Sequence, residues 1–186
     1  MAKNQDAGLV VSTLERLARL MRAADFGDGL NPAQWEALRY LARANRFSNS
    51  PGALTRYLGA TKGTVSQTVK SLERKGLIAK SGRTDEKRSV MLGLTDKGRG
   101  MLARDPWRVL LDQVEDLGGK TQRRMAKGLA VLLDAEIARG GHPSFGSCPD
   151  CRFFAEDSEA LHCTLFDAQL SAAETVLICV AHQPKT

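Results

Sequence analysis

One stretch of this chain, Ser50 to Thr95, restricts the fold more than any other. Ser50-Pro51 is a helix N-cap followed by a first-turn proline, and Leu54, Tyr57 and Leu58 give the short helix after it an inward face. Gly59-Ala60 makes a tight turn, because glycine takes the positive φ that ends a helix. Thr61 or Thr64 then caps a second helix running to about Lys75, with Val65, Val69 and Leu72 at steps of four and three along its buried line. Gly76 ends it. Leu77-Ile78-Ala79-Lys80 suits a strand, Ser81 to Arg88 a charged, turn-rich loop, and Val90, Leu92 and Leu94 alternate at strand period. Helix, tight turn, helix, strand, loop, strand is the order of a winged helix-turn-helix.

The flanks add long helices. Val10, Leu14, Leu17, Leu20 and Met21 mark one face of a helix over 8–25, which Gly27 and Gly29 stop. Asn31-Pro32 opens the next, to Ala44, with Trp35, Leu38 and Leu41 as plain core residues. Thr95 caps a long helix through Met101 and Leu102, past Trp107 to Val114, and Gly118-Gly119 breaks it. Thr121 to Arg139 is the last, with Met125, Leu129, Leu132 and Leu133 on one face. These helices carry more apolar surface than a small winged domain needs. A homodimer is therefore expected, its two-fold axis matching a palindromic operator. The expected fold class is mainly α with a small β-wing: a winged helix-turn-helix and dimerisation domain over 1–140, and a small Cys-rich module over 141–186. Aromatic residues are only 5%, which argues against a strand-rich sandwich.

Charge follows this division. Residues 1–104 carry 19 Lys and Arg against 9 Asp and Glu, 105–139 are balanced, and 140–186 carry 2 against 6. Basic charge thus sits with the proposed reader, where phosphates would need it. The outward face of the second helix bears Gly63, Gln67, Lys70 and Arg74, flanked by Lys62, Thr64 and Ser66. Gln offers paired donor and acceptor atoms to an adenine edge, and Ser, Thr and Lys reach bases or phosphates. Arg83, Lys87 and Arg88 of the wing suit a minor groove, with Asp85 or Glu86 expected to hold a wing Arg in place. Double-stranded DNA is the expected partner. No apolar run approaches the roughly 20 residues of a membrane span, and the first residues lack the apolar core of a signal peptide. A cytoplasmic protein is expected.

Residues 8–139 resemble the MarR family of bacterial transcription regulators. The resemblance rests on Leu72-Glu73-Arg74-Lys75-Gly76-Leu77-Ile78, an acidic–basic wing, and Leu92-Gly93-Leu94-Thr95-Asp96-Lys97-Gly98 in that order. Glu86-Lys87-Arg88 stands where the family commonly has Asp-Arg-Arg, so charge is kept but not identity. The resemblance implies a homodimer with one winged helix per subunit, the 61–75 helix in the major groove, and a regulator, usually a repressor, that a small-molecule effector releases.

All four cysteines and all three histidines lie beyond Gly140-Gly141. Cys148, Cys151, Cys163 and Cys179 are spaced Cys-x2-Cys-x11-Cys-x15-Cys, and in a cytosolic protein such spacing points to a metal before a structural disulfide. A four-thiolate site is the expectation, with His142, His162 or His182 able to replace one thiolate. A zinc ion would lend folding energy to a short segment. An iron–sulfur cluster suits one close pair plus two distant cysteines and would make the regulator a sensor of redox state or iron. A reversible Cys148–Cys151 disulfide and cysteines without a role are also open. Phe145, Phe153, Phe154 and Phe166 are expected to form an apolar shell around the cysteines. Cys148-Pro-Asp-Cys151 has a faint likeness to zinc deaminases, but no His precedes His142 and none is followed by x-Glu, so no enzyme is expected. An architectural DNA binder without effector control would use the same winged helix.

Overall fold

The computed structural model describes residues 2–26, 28–83, 86–157 and 160–185, without the side chains of residues 2–4, 83 and 86–89. Its elements run α1 (Ala2–Ala24), α2 (Pro32–Arg43), α3 (Pro51–Leu58), α4 (Lys62–Arg74), β1 (Ile78–Arg83), β2 (Glu86–Leu94), α5 (Asp96–Leu102), α6 (Trp107–Glu115) and α7 (Gly119–Gly140). A 3-10 turn (Cys148–Asp150), strands β3 (Phe154–Glu156), β4 (Leu161–Cys163) and β5 (Ala168–Leu170), and the short α8 (Ala172–Thr175) follow. The chain is mainly helical with two small antiparallel sheets, β1-β2 and β3-β4-β5.

The capping residues act as the sequence predicts. Asn31 accepts from the Gln34 amide, and the Gln34 side chain returns a bond from the Asn31 amide, closing a capping box. Ser50 caps α3 and Thr61, not Thr64, caps α4. Gly59 ends α3 at φ +58°. The core lies where α2, α3, α4 and the hairpin meet: Trp35, Leu38, Tyr40, Leu54, Val65, Leu72, Leu77 and Leu92 are almost wholly buried. Each such side chain contributes about 1.5–3 kcal/mol of burial.

Two expectations are corrected. The helix after Thr95 is two helices, α5 and α6. Pro106 has no N–H for a helical bond and its ring crowds the preceding turn. The chain closes α5 instead with Arg104 and Asp105 amides on the carbonyls of Met101 and Leu102. The predicted loop over Ser81–Arg88 is mostly strand, with β1 reaching Arg83 and β2 starting at Glu86 around an irregularity at Gly82/Arg83. Gly27, and the pairing expected of Asp85 or Glu86 with a wing Arg, lie outside the described residues and side chains.

Arg39 of α2 ties the flanking helices to this core. Its guanidinium donates to the buried Asp25 carboxylate at the end of α1 at 2.8 and 3.1 Å and to Asp105 at 2.8 Å, before α6. Elsewhere the long helices lack cover in the single chain. No residue of α6 or α7 is buried, and Leu9, Val11, Leu20, Val109, Val131 and Leu133 are more than half exposed.

The C-terminal segment is docked onto the winged helix rather than standing apart from it. Phe145, Ile178 and Val180 pack on the main core. Phe145 meets the Tyr40 and Tyr57 rings edge-on, and Phe166 stacks on Phe47 with centroids 4.1 Å apart.

Candidate nucleic-acid interface and thiol cage

Helix α4 divides cleanly into two faces. Val65, Thr68, Val69 and Leu72 are buried. Lys62, Gly63, Thr64, Ser66, Gln67, Lys70 and Arg74 are exposed. Thr64 is partly engaged, its hydroxyl 2.9 Å from that of the cap Thr61. Ser66, Gln67, Lys70 and Arg74 have no side-chain partner among the described residues. A Cβ added at Gly63 would meet only the Thr61 hydroxyl, at 3.8 Å, so the chain's own packing does not require glycine there. The first turn of α4 also presents amide N–H groups with no intrahelical acceptor, a positive end that attracts anions.

The neighbourhood holds this face in position. Glu73 is drawn off by Lys80 on β1 at 2.6 Å, which removes the one acidic group of α4 from the basic face. Lys75 turns inward and donates to the Gly29 carbonyl and to Gln34. Gln34 in turn donates to Ser71, pinning α4 to α2 at 2.9 Å. The hairpin stands beside α4, with Leu77 bonded to the Leu72 carbonyl. Arg83 lies at the end of β1, and Lys87 and Arg88 at the start of β2, near the hairpin tip. Their side chains lie outside those described.

A second cluster forms in the C-terminal segment. Cys148, Cys151, Cys163 and Cys179 are all free thiols, and all four line one cavity of about 20 Å³. Cys148 opens the 3-10 turn and Cys151 follows it, Cys163 ends β4, and Cys179 lies after α8, next to the bridge residue Ile178. Phe47, Phe153, Phe154, Leu170 and Asn45 complete much of the wall. Burial, and then the facing Cys179, Cys163 and Cys151, push the Cys148 thiol up to about 11. Burial and these neighbours favour the protonated, uncharged thiol at Cys148.

Two parts of the expected shell differ. Phe153 and Phe154 line the cavity, but Phe145 and Phe166 face the winged helix instead. None of the three histidines lines it either. His162 lies 3.3 Å from Asp167, His142 borders a separate cleft, and His182 is bonded to Ser144 at 2.6 Å, with burial lowering its proton affinity. Among the described residues no three His, Cys, Asp or Glu side chains are gathered tightly enough to hold a single metal ion as they stand.

Sequence reasoning missed that separate cleft. It has a volume of about 930 Å³ and lies between α2, α3, α6 and α7, with Arg39, Arg43, Arg56, Arg108, Tyr57 and Trp107 on its wall. Its residues come from five places in the chain, so no local pattern marks it. No helix among the described residues is long and apolar enough to cross a membrane.

Comparisons with known proteins bear on the same region. Residues 28–89 match the model of the MarR family. The transcriptional repressor YetL of Bacillus subtilis is 29% identical over 76 residues, which are 41% of this chain and 46% of the repressor, so the match spans about half of that curated relative. A MarR transcriptional regulator from Methanosarcina mazei Go1 superposes with a TM-score of 0.55 at 21% identity, over 72% of this chain and 98% of that one. FabT of Streptococcus pneumoniae, solved in complex with DNA, gives 0.55 at 21% identity, over 71% and 95%. These structures show that the winged-helix fold is shared. The match to the MarR family model and to a transcriptional repressor agrees with the expectation that the chain is not an enzyme.

Proposed function

We propose that this chain is a MarR-type transcription regulator, in most settings a repressor, that binds double-stranded DNA as a homodimer. The observation that carries this is the outward face of α4: small, polar and basic, with Ser66, Gln67, Lys70 and Arg74 unpartnered among the described residues, and backed by a buried apolar face. In this reading α4 enters the major groove, with Gln67 at a base edge and Lys62, Thr64, Ser66, Lys70 and Arg74 on bases or phosphates. Gly63 lets the DNA backbone approach the helix start. Arg83, Lys87 and Arg88 follow the wing into the adjacent minor groove. The apolar faces of α1, α6 and α7 form the dimer interface, since a second copy covers what one chain leaves open.

The domain reading assigns 1–140 to DNA binding and dimerisation and 141–186 to a metal-binding module. Cys148, Cys151, Cys163 and Cys179 would hold the metal, zinc or an iron–sulfur cluster. Support comes from four buried or half-buried thiols on one cavity with no competing ligand on its wall. The cleft walled by Arg43, Arg56, Arg108, Tyr57 and Trp107, and also by Glu36, Asp105 and Glu136, is the place for a small effector. The protein acts in the cytoplasm, where its DNA is.

The test is selection of binding sites from a random duplex pool by the purified full chain. Enrichment of a palindrome supports the regulator. Recovery of unrelated sequences with equal affinity would make the chain an architectural binder and overturn this reading.

A further inference from the structure

We propose that Arg39 sets the spacing between the two DNA half-sites, by locking the dimer helices to the helix-turn-helix at one angle. This rests on the regulator reading above and goes beyond it. The face of α4 decides which bases are read, and Arg39 decides how far apart the two copies of that face stand.

The two parts of the chain meet across little packing. No residue of α6 or α7 is buried, and a cleft of about 930 Å³ lies between these helices and α2 and α3. The apolar residues of α1 and α6 that would meet a second copy, Leu9, Val11, Leu20 and Val109, are more than half exposed. Such helices would swing as a unit unless something fixes them to the reader.

One guanidinium spans the gap. Arg39 stands on α2, where its neighbours Leu38 and Tyr40 are wholly buried, so its backbone moves with the reader's core. Its fork takes both oxygens of Asp25, at 3.1 and 2.8 Å, and one oxygen of Asp105 at 2.8 Å. The same group lies over the Trp107 ring, 5.1 Å from its centroid. Asp25 directly follows α1 and is 1% exposed. Asp105 also accepts from the Trp107 amide at 3.0 Å, so one carboxylate both ties Arg39 and caps the start of α6. A planar guanidinium bonds in fixed directions, whereas an ammonium is a point charge. Bonds from one plane to the ends of two helices therefore fix an angle as well as a distance. Both acids are largely withdrawn from water, so salt screens these pairs weakly.

That angle matters because DNA sets a strict distance. Recognition helices of a two-fold dimer reach successive major grooves about 34 Å apart, so each stands about 17 Å from the axis. A tilt of about 10° on an arm of that length moves a helix by about 3 Å, close to the roughly 3.4 Å rise of one base pair. A loose joint would blur the spacing by about one base pair and leave each half-site contact intact.

The experiment uses the full chain, Arg39→Lys and Asp105→Asn. Arg39→Lys keeps the charge beside Asp25 without the fork. Asp105→Asn keeps an oxygen to cap α6 and leaves the Asp25 pair in place. Thermal unfolding and sedimentation velocity establish that each is folded and dimeric. The palindrome that the wild type enriches from a random pool is then remade with its half-sites one base pair nearer and one farther. Affinities for all three duplexes are measured, with hydrogen exchange over residues 20–26 and 103–110. The wild type should lose at least about tenfold on either change of spacing, and the variants less than about threefold. The variants should also exchange faster at the ends of α1 and α6. Variants that keep the wild-type dependence on spacing overturn the proposal, whatever their absolute affinity, and so does a wild type that accepts all three spacings equally. If the wild type enriches no palindrome, the regulator reading fails and the spacing role fails with it. The exchange comparison then still shows whether Arg39 holds α1 and α6 to the reader.

Discussion

A methyl group at position 98 has nowhere to go. The Cβ of an alanine there would lie 2.1 Å from the Leu77 carbonyl oxygen and 3.1 Å from its carbon. The same joint is closed by Thr95, whose amide donates to Leu77 and whose hydroxyl donates to the Gly76 carbonyl at 2.6 Å. Gly98→Ala is expected to destabilise the chain by about 1–3 kcal/mol, read as a lower urea midpoint at unchanged slope. Gly63→Ala should behave in the opposite way. Its methyl meets only an ordinary contact, so stability is kept or rises by up to about 1 kcal/mol, while DNA affinity is expected to fall if the proposed contact face is right. Both glycines stand out in the sequence, but it cannot separate their reasons. Gly98 is required by a carbonyl contributed from Leu77, 21 positions earlier; Gly63 is not required by the fold at all. Phe145 and Phe166 show the limit again: proximity in sequence to the cysteines predicts a shell, whereas their rings fill gaps beside Tyr57 and Phe47.

Among the elements, α4 was the most legible, because capping, periodicity and the contrast of its faces all lie within a few turns. Lys70→Ala should leave thermal stability unchanged, weaken binding across sequences and lower the salt slope by about 1. Gln67→Ala should instead relax selectivity at one position, at a cost of about 1–3 kcal/mol. The break between α5 and α6 was marked by Pro106, yet the apolar spacing runs through it and conceals it. The start of α8 adds a pH test. The Ser171 amide donates to the Glu174 carboxylate, which holds its pKa below the usual carboxylate value, with Arg46 adding to the effect. A lowered pKa means that this contribution is full above the ordinary carboxylate pKa and is lost as pH falls through the lowered one. Acidification should therefore speed exchange over 171–176, and Glu174→Gln should remove the difference between neutral and acid pH.

At the scale of the molecule, the surplus apolar surface was visible as periodicity, and the single chain leaves it exposed on α1, α6 and α7. Leu129→Glu with Leu132→Glu should shift the chain from dimer to monomer in sedimentation velocity; a dimer that persists would place the interface elsewhere. What the sequence could not display was the union of the two ends. The cysteine spacing is local, but its contact with the α2–α3 turn depends on pairing Ala44 with Ile178, residues far apart in the chain. That contact makes the C-terminal segment part of the winged helix's own packing. On the proposed function, α4 and the wing would read DNA as half of a symmetric pair. A hydroxyl-radical footprint on the enriched duplex, with the number of bound chains counted in the same titration, tests it most directly. The expected result is two chains protecting two half-sites on one face, their centres about 10 base pairs or a multiple apart; uniform protection along the duplex, unaltered by Lys70→Ala, would contradict it.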